Sequence, residues 1–364
     1  MALFVTLVAI IVIGGLVSAI MATTTLEQRT GETARRQNQA FAVADAAMSG
    51  VVANWLSGSW NLMAVGASTA ISGNSPNGTG TYTGSVSRVN DEIFMVDVVG
   101  KDRASSARQR LAMLVKLRIL KFDISAALTT RGVGSIGGSA AVTGIDTPPW
   151  PDCPVAGLPE AGIRHPDPND LSFIGGCSGA SCVTGDPNVE ADPTVNDNTF
   201  FNYSDNDWTS LQATATITLP PATYNQITPS AVSGVCDLSD LDNWGEPRRP
   251  AIVPSCTNYF PIIYVDGDMK ANGGYGQGIL LVNGDFEVTG NFEFDGVVVV
   301  RGRLKSTGTG NKITGGVLAA NIDLDNSQVL GNAVLTFSRC AIDRAQNASA
   351  PGAQFRSRGW MQVF

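Results

Sequence analysis

The chain opens with a long run of apolar positions. No charged side chain occurs from Met1 to Leu26. At roughly 1.5 Å per helical residue even the first part of that run crosses a bilayer core of about 30 Å, with Leu3, Leu7, Ile10, Ile13, Leu16 and Ile20 as the expected anchoring and helix-packing positions. Beyond it the pattern becomes amphipathic. Ala34, Phe41, Met48 and Trp55 recur at heptad spacing, Ala44 and Val51 fill the alternate three-and-four steps, and Glu32, Arg36, Asn38 and Asp45 fall on other faces. No proline precedes Pro76, so nothing forces a break between the two patterns. The prediction is one helix of about 50 residues, on the order of 80 Å long, whose Phe41, Met48 and Trp55 dock a folded body.

From Gly80 the period changes to two. "TYTGSVSRV" and "IFMVDVVG", separated by "NDE", have strand length and strand alternation. "ARQRLAMLVKLRI" predicts a further strand, although Arg108 to Leu114 also suits a helix. An antiparallel sheet packed on the striped half of the long helix follows. Pro148 to Asn198 is turn-rich and loop-like.

A repeat then appears. "IIYVDGDMKANGG", "ILLVNGDFEVTGN" and "VVVVRGRLKSTGT" align on Gly267, Gly284 and Gly302, and "GVLAANIDLDNSQ" follows with Ile322 in the glycine's place. Each unit holds two short strands about a bend and cannot bury its apolar side alone, so stacking of successive coils into a parallel β-helix is expected. Leu128 to Thr147 has the same character and is expected to add a rung from a distance. A sandwich of hairpins, with "VNGDF" as an Asn-Gly turn, is the competing arrangement. A bare ladder end invites pairing, so the closing "SRGWMQVF" or a neighbouring subunit is expected to cover it. The expected class is α+β, divided as 1–57 (long helix), 58–125 (antiparallel β region), 126–260 (loop-rich, disulfide-bearing) and 261–364 (β-helix-like repeat).

Forty Gly, eighteen Pro and only 15% charged residues suit a turn-rich β protein. The formal charge of −8, with no basic stripe, excludes nucleic acid as an expected partner. Six cysteines downstream of an apolar span fit an oxidising compartment. The connectivity is open; Cys177 with Cys182 and Cys236 with Cys256 are the short-loop choices, which leave Cys153 for Cys340.

The segment "ALFVTLVAIIVIGGLVSAIMATTTLEQRTGETARRQNQAFAVADAAMSGV", Ala2 to Val51, resembles the amino-terminal region of the PilX group of minor type IV pilins, kin of the large minor pseudopilins of type II secretion. The shared features are an apolar span, a "TTLEQR" step, and "ARRQNQAFAVADAA" in place of the group's usual ending, with Asp45 where that ending usually has Glu. Gly80 to Ile119 is similar to the β-rich stretch that follows in that group. The resemblance implies assembly with other pilin subunits through the helix, residence in the inner membrane before assembly, a body on the periplasmic side and then in a surface pilus or pseudopilus, and cleavage by a prepilin peptidase if a leader exists. Major pilins usually carry Glu at the fifth mature position; with Met1 as the mature start this chain has Val5, which fits a minor subunit better. Gly14 and Gly15 are where the helix is expected to loosen on assembly. Arg29, Arg35 and Arg36 just past the span conflict with an outward body under the positive-inside rule, a conflict that a basic leader before Met1 removes.

No phosphate loop, nucleophile elbow, dinucleotide fingerprint or HExxH motif occurs, and His165 is the sole histidine. No catalytic residue, cofactor or metal is assigned. Asp186, Glu190, Asp192 and Asp197 suit calcium by ligand type but not by spacing, and a solvated acidic loop is the reading retained. Asp266 with Asp268 and Asp323 with Asp325 are the pairs that a polysaccharide-cleaving β-helix enzyme would use. That enzyme, and a membrane-anchored β-helical adhesin, are the alternatives to a filament subunit.

Overall fold

A single helix, α1 (Ala2–Ala53), runs from the apolar start through the charged stretch without interruption. The computed structural model describes residues 2–58, 60–203, 206–225, 227–320, 327–329, 332–354 and 360–363. The chain divides into two units, Met1–Arg118 with Gly352–Phe364, and Ile119–Pro351. The class is α+β, with antiparallel pairing in the first unit and predominantly parallel pairing in the second.

In the first unit α1 is followed by β1 (Ser68–Asn74), β2 (Gly80–Arg88), β3 (Ile93–Asp102) and β4 (Arg108–Leu117), paired antiparallel in chain order. Along β3 every second residue is buried: Phe94, Val96, Val98, Gly100 and Asp102. This is the period of a sheet with one packed face. The helix supplies the cover, with Ala40, Val43, Ala44, Ala47 and Met48 all buried. Small residues on both sides allow the close approach; a Cβ on Gly100 would stand 2.3 Å from the Ala40 carbonyl oxygen. "ARQRLAMLVKL" is strand throughout Arg108–Leu117 rather than helix. The outer side of β4 is paired by Gly352–Gln354 and Trp360–Val363. The closing residues therefore cover an edge of this sheet and not the end of the repeat, since β4 would otherwise leave its ladder groups unpaired.

In the second unit three parallel ladders run through the described residues. On the first, Ile217, Ile263, Leu280, Val298, Val317, Leu128, Ile163 and Val189 stand in register, one per strand. The second aligns Met269, Phe286 and Leu304, and the third aligns Gly276, Phe294, Ile313, Leu335, Val142 and Val183. The chain visits the three ladders in turn, and successive circuits bury one another's aliphatic and aromatic side chains. Residues 128–147 join this stack by pairing with strands more than 180 positions later. Residues 126–260 and 261–351 thus lie in one unit, whereas Ile322 lies outside the described residues.

The stack is wound out of sequence order. The chain enters in its middle at Ala126–Thr130, winds outward through Ala161–His165 to Val189–Ala191, and next pairs at the opposite end of the ladder. It then winds inward from Ile217–Leu219 to Asn332–Phe337, which docks on Ala141–Thr143. The bend "V-x-G-[DR]" has a physical role in this winding. The Asp268 carboxylate accepts from the Asp285 amide (2.8 Å), and the Asp285 carboxylate accepts from the Arg303 amide (2.8 Å). Each bend therefore caps the next.

Candidate functional site

The first half of α1 presents apolar side chains to its surroundings. Leu3, Leu7, Ile10, Ile13, Leu16 and Ile20 are all exposed, from 54% at Leu7 to 83% at Leu3. This helix is long and apolar enough to cross a membrane by length and composition. Its polar atoms suit that environment. The hydroxyls of Thr6, Thr23, Thr24 and Thr25 each donate to a carbonyl one turn back, at 2.8 to 3.0 Å, so they are hydrogen-bonded within the helix rather than left open on its apolar surface. The helix continues through Gly14 and Gly15, beside which nothing lies within 4 Å.

The second half is fixed to the body. Met48 and Trp55 are each 2% exposed, while Phe41 is half-buried at the margin of the contact. Trp55, just past the end of α1, sets its ring edge-on to Phe94 with centroids 5.2 Å apart, and its Nε1 donates to Asn61 Oδ1 (2.6 Å). Because Phe94 begins β3 and Gly100 near its end lies under Ala40 and Ala44, β3 runs back along the helix toward the apolar half. Its hairpin tip, residues 103–107, reaches Arg36, whose Nη1 donates to Ser106 Oγ (3.1 Å). Inside that tip the Ala107 amide and the Ser106 hydroxyl donate to the Asp102 carboxylate and hold it below its ordinary value.

The three disulfides join Cys153 to Cys340, Cys177 to Cys182 and Cys236 to Cys256. The acidic loop residues are engaged by arginine: Asp192 pairs with Arg164, Glu190 lies 4.0 Å from Arg164, and Asp197 is 2.7 Å from Arg131. Asp192 also accepts from the Thr194 hydroxyl and amide, which with Arg164 hold its carboxyl down at about 2. Among the described residues no group of three or more His, Cys, Asp or Glu side chains is disposed to hold a metal. His165 is fully buried; its Nδ1 accepts from the Asp167 amide and its Nε2 donates to the Gly132 carbonyl, both at 3.0 Å. Asp266 accepts from the Tyr264 hydroxyl (2.8 Å) and Asp268 caps the next bend, so both carboxylates serve the stack; Asp323 and Asp325 lie outside the described residues.

Two signals in the repeat are visible only in retrospect. Besides Gly267, Gly284 and Gly302, the sequence carries Gly273, Gly290, Gly308 at the same intervals and Gly278, Gly296, Gly315 at intervals one residue longer, one column for each remaining corner of a circuit.

No family model matches the chain, and no curated protein matches it. Among solved structures, the competence-associated pilin ComZ from Thermus thermophilus aligns over 90% of this chain and 97% of that chain, at 11% identity and a TM-score of 0.26.

Proposed function

We propose that this chain is a structural subunit of a type IV pilus-like filament, a minor pilin or pseudopilin, held in the inner membrane by the first half of α1 and drawn through it into a filament core. The observation that carries this reading is one unbroken helix that is bare and apolar over Leu3–Ile20 and built into a β-sheet body from Ala40 onward. A helix serving only as an anchor has no need to continue rigidly into the body. A helix that must stack among like helices while carrying its own domain does. The resemblance of Ala2 to Val51 to the PilX group supports the same reading.

The second unit, in this reading, is a short β-helix displayed outward. Parallel register across its ladders supports the assignment over a sandwich of hairpins, which requires antiparallel neighbours. The role is structural, and the engagement of Asp266 and Asp268 within the stack weighs against a glycosidase. A photoreactive side chain at Leu7 or Ile13 tests the proposal in cells: covalent bonds to other pilin helices are expected, and bonds to lipid alone would leave only a membrane-anchored surface protein.

A further inference from the structure

Basic residues collect where the body faces the apolar half of α1. Arg29, Arg35 and Arg36 follow the apolar run on the helix, and Lys101, Arg103 and Arg108 flank or occupy the β3–β4 tip that Arg36 holds through Ser106. The chain as a whole carries −8, yet this region sets six cations against Glu27, Glu32 and Asp102. Arg29, Arg35, Arg103 and Arg108 are exposed and make no ion pair among the described residues. Exposed arginines clustered on an acidic protein are open to an external anion.

Their height along the helix indicates which anion. The tip and Arg108 share an open groove with Thr33 and Arg36, and Thr33 lies about 10 Å beyond Leu26 at the helical rise. Headgroups extend the bilayer by several ångströms on each side of its core, and long arginine side chains reach toward them. We infer that Arg29, Arg35, Arg103 and Arg108 form a binding surface for anionic phospholipid headgroups in the bilayer that α1 crosses. Arg36 braces it from the helix. The inference rests on the membrane-spanning reading of α1, and it gives the post-span arginines a role other than setting topology.

The test uses the full chain and vesicles of phosphatidylcholine with and without phosphatidylglycerol, at low and high salt. Wild type is expected to float with both vesicle types and to retain phosphatidylglycerol preferentially in native mass spectra. Each arginine exchanged for glutamine (R35Q, R103Q, R108Q) should lower that retention about fivefold at low salt, with the loss shrinking at high salt. These side chains have no internal ion pair, so thermal melting should be unchanged and should separate lost binding from misfolding. Flotation with both vesicle types but no preference for phosphatidylglycerol overturns the lipid site and leaves the spanning helix intact. Failure to float with either overturns both. Loss of self-association in the variants, with lipid retention unchanged, overturns the site in favour of an acidic protein surface as its partner.

Discussion

Cys340, at the start of the helix Arg339–Ala348, is bonded to Cys153 across 187 positions of sequence. The bond spans the place where the last circuit, Asn332–Phe337, docks on the first, Ala141–Thr143. No peptide connects those circuits directly. Other contacts converge there: the Arg339 amide donates to Asp146 (2.9 Å), Arg339 pairs with Glu160, and Arg344 with Asp152 at 2.7 Å. Closing so long a loop removes much freedom from the unfolded chain, and loss of a native disulfide typically costs about 2–5 kcal/mol. C153S/C340S should therefore lower the urea midpoint of the full chain in detergent. Hydrogen exchange should rise first at Val317–Ala319 and Leu128–Thr130, the strands on either side of the seam. Uniform loss of protection through the whole stack would show that the seam is not the weak point.

The corner glycines make a sharper prediction. Gly296 has φ +141°, and a Cβ there would stand 2.0 Å from the Gly278 carbonyl oxygen; Gly315 repeats the arrangement 1.9 Å from the Gly296 carbonyl oxygen. Neither neighbour can withdraw, because both are backbone in the parallel ladder. Gly296→Ala should cost at least ~3 kcal/mol through strain and displacement of the adjacent circuit. Gly14→Ala is the contrast: nothing lies within 4 Å, and the helix should gain about 1 kcal/mol. Chemical denaturation of the two variants in the same detergent checks both signs.

These glycines also show where the sequence is legible. The period-two burial of β3 and the helical pattern of α1 could be read directly, since each reflects one face of one element. The Gly267, Gly284, Gly302 column disclosed stacking because a bend repeated at fixed spacing must be met by its neighbour. The out-of-order winding left only a faint trace in Leu128 to Thr147. Pairing of Val317 with Leu128 needs compatible aliphatic strands and leaves no local signal of which strand comes next. Within the stripe a heptad count selects Phe41, which is half-buried, whereas the close approach to Gly100 places Ala40 and Ala44 at the centre of the contact.

Trp55 tests the division of labour along α1. It is 2% exposed, packs on Phe94, and lies 2.5 Å from where a Cβ on Gly352 would stand. Trp55→Ala removes a large buried side chain at the end of the helix and should destabilise the first unit by about 3–5 kcal/mol, visible as a lost near-ultraviolet dichroism band and an earlier unfolding transition. Leu7→Ala, at a position 54% exposed, should leave that transition in place and weaken only membrane retention or filament incorporation. Equal destabilisation by the two substitutions would mean that the apolar half also supports the body.

Asp295 stands between Gln277 and Thr314 in the third ladder, beside Gly296, which approaches Ala345 of the helix Arg339–Ala348. Burial pushes its carboxyl up to about 7; Lys312, Thr314 and Arg249 pull the value down and Glu293 raises it. Unfolded, the same group titrates near 3.8. Between about pH 4 and pH 7 the folded chain therefore holds a proton that the unfolded chain has released, so the free energy of unfolding falls as pH rises through that window and levels off above it. Asp343, on the covering helix, is also raised by burial and acts in the same sense. Asp295→Asn supplies an uncharged side chain at every pH. It should flatten most of the slope, leave stability near pH 4 almost unchanged, and raise stability above pH 7 by up to a few kcal/mol. Urea unfolding of wild type and variant across this range reads the difference, and parallel curves for the two proteins would show that Asp295 is not the group responsible.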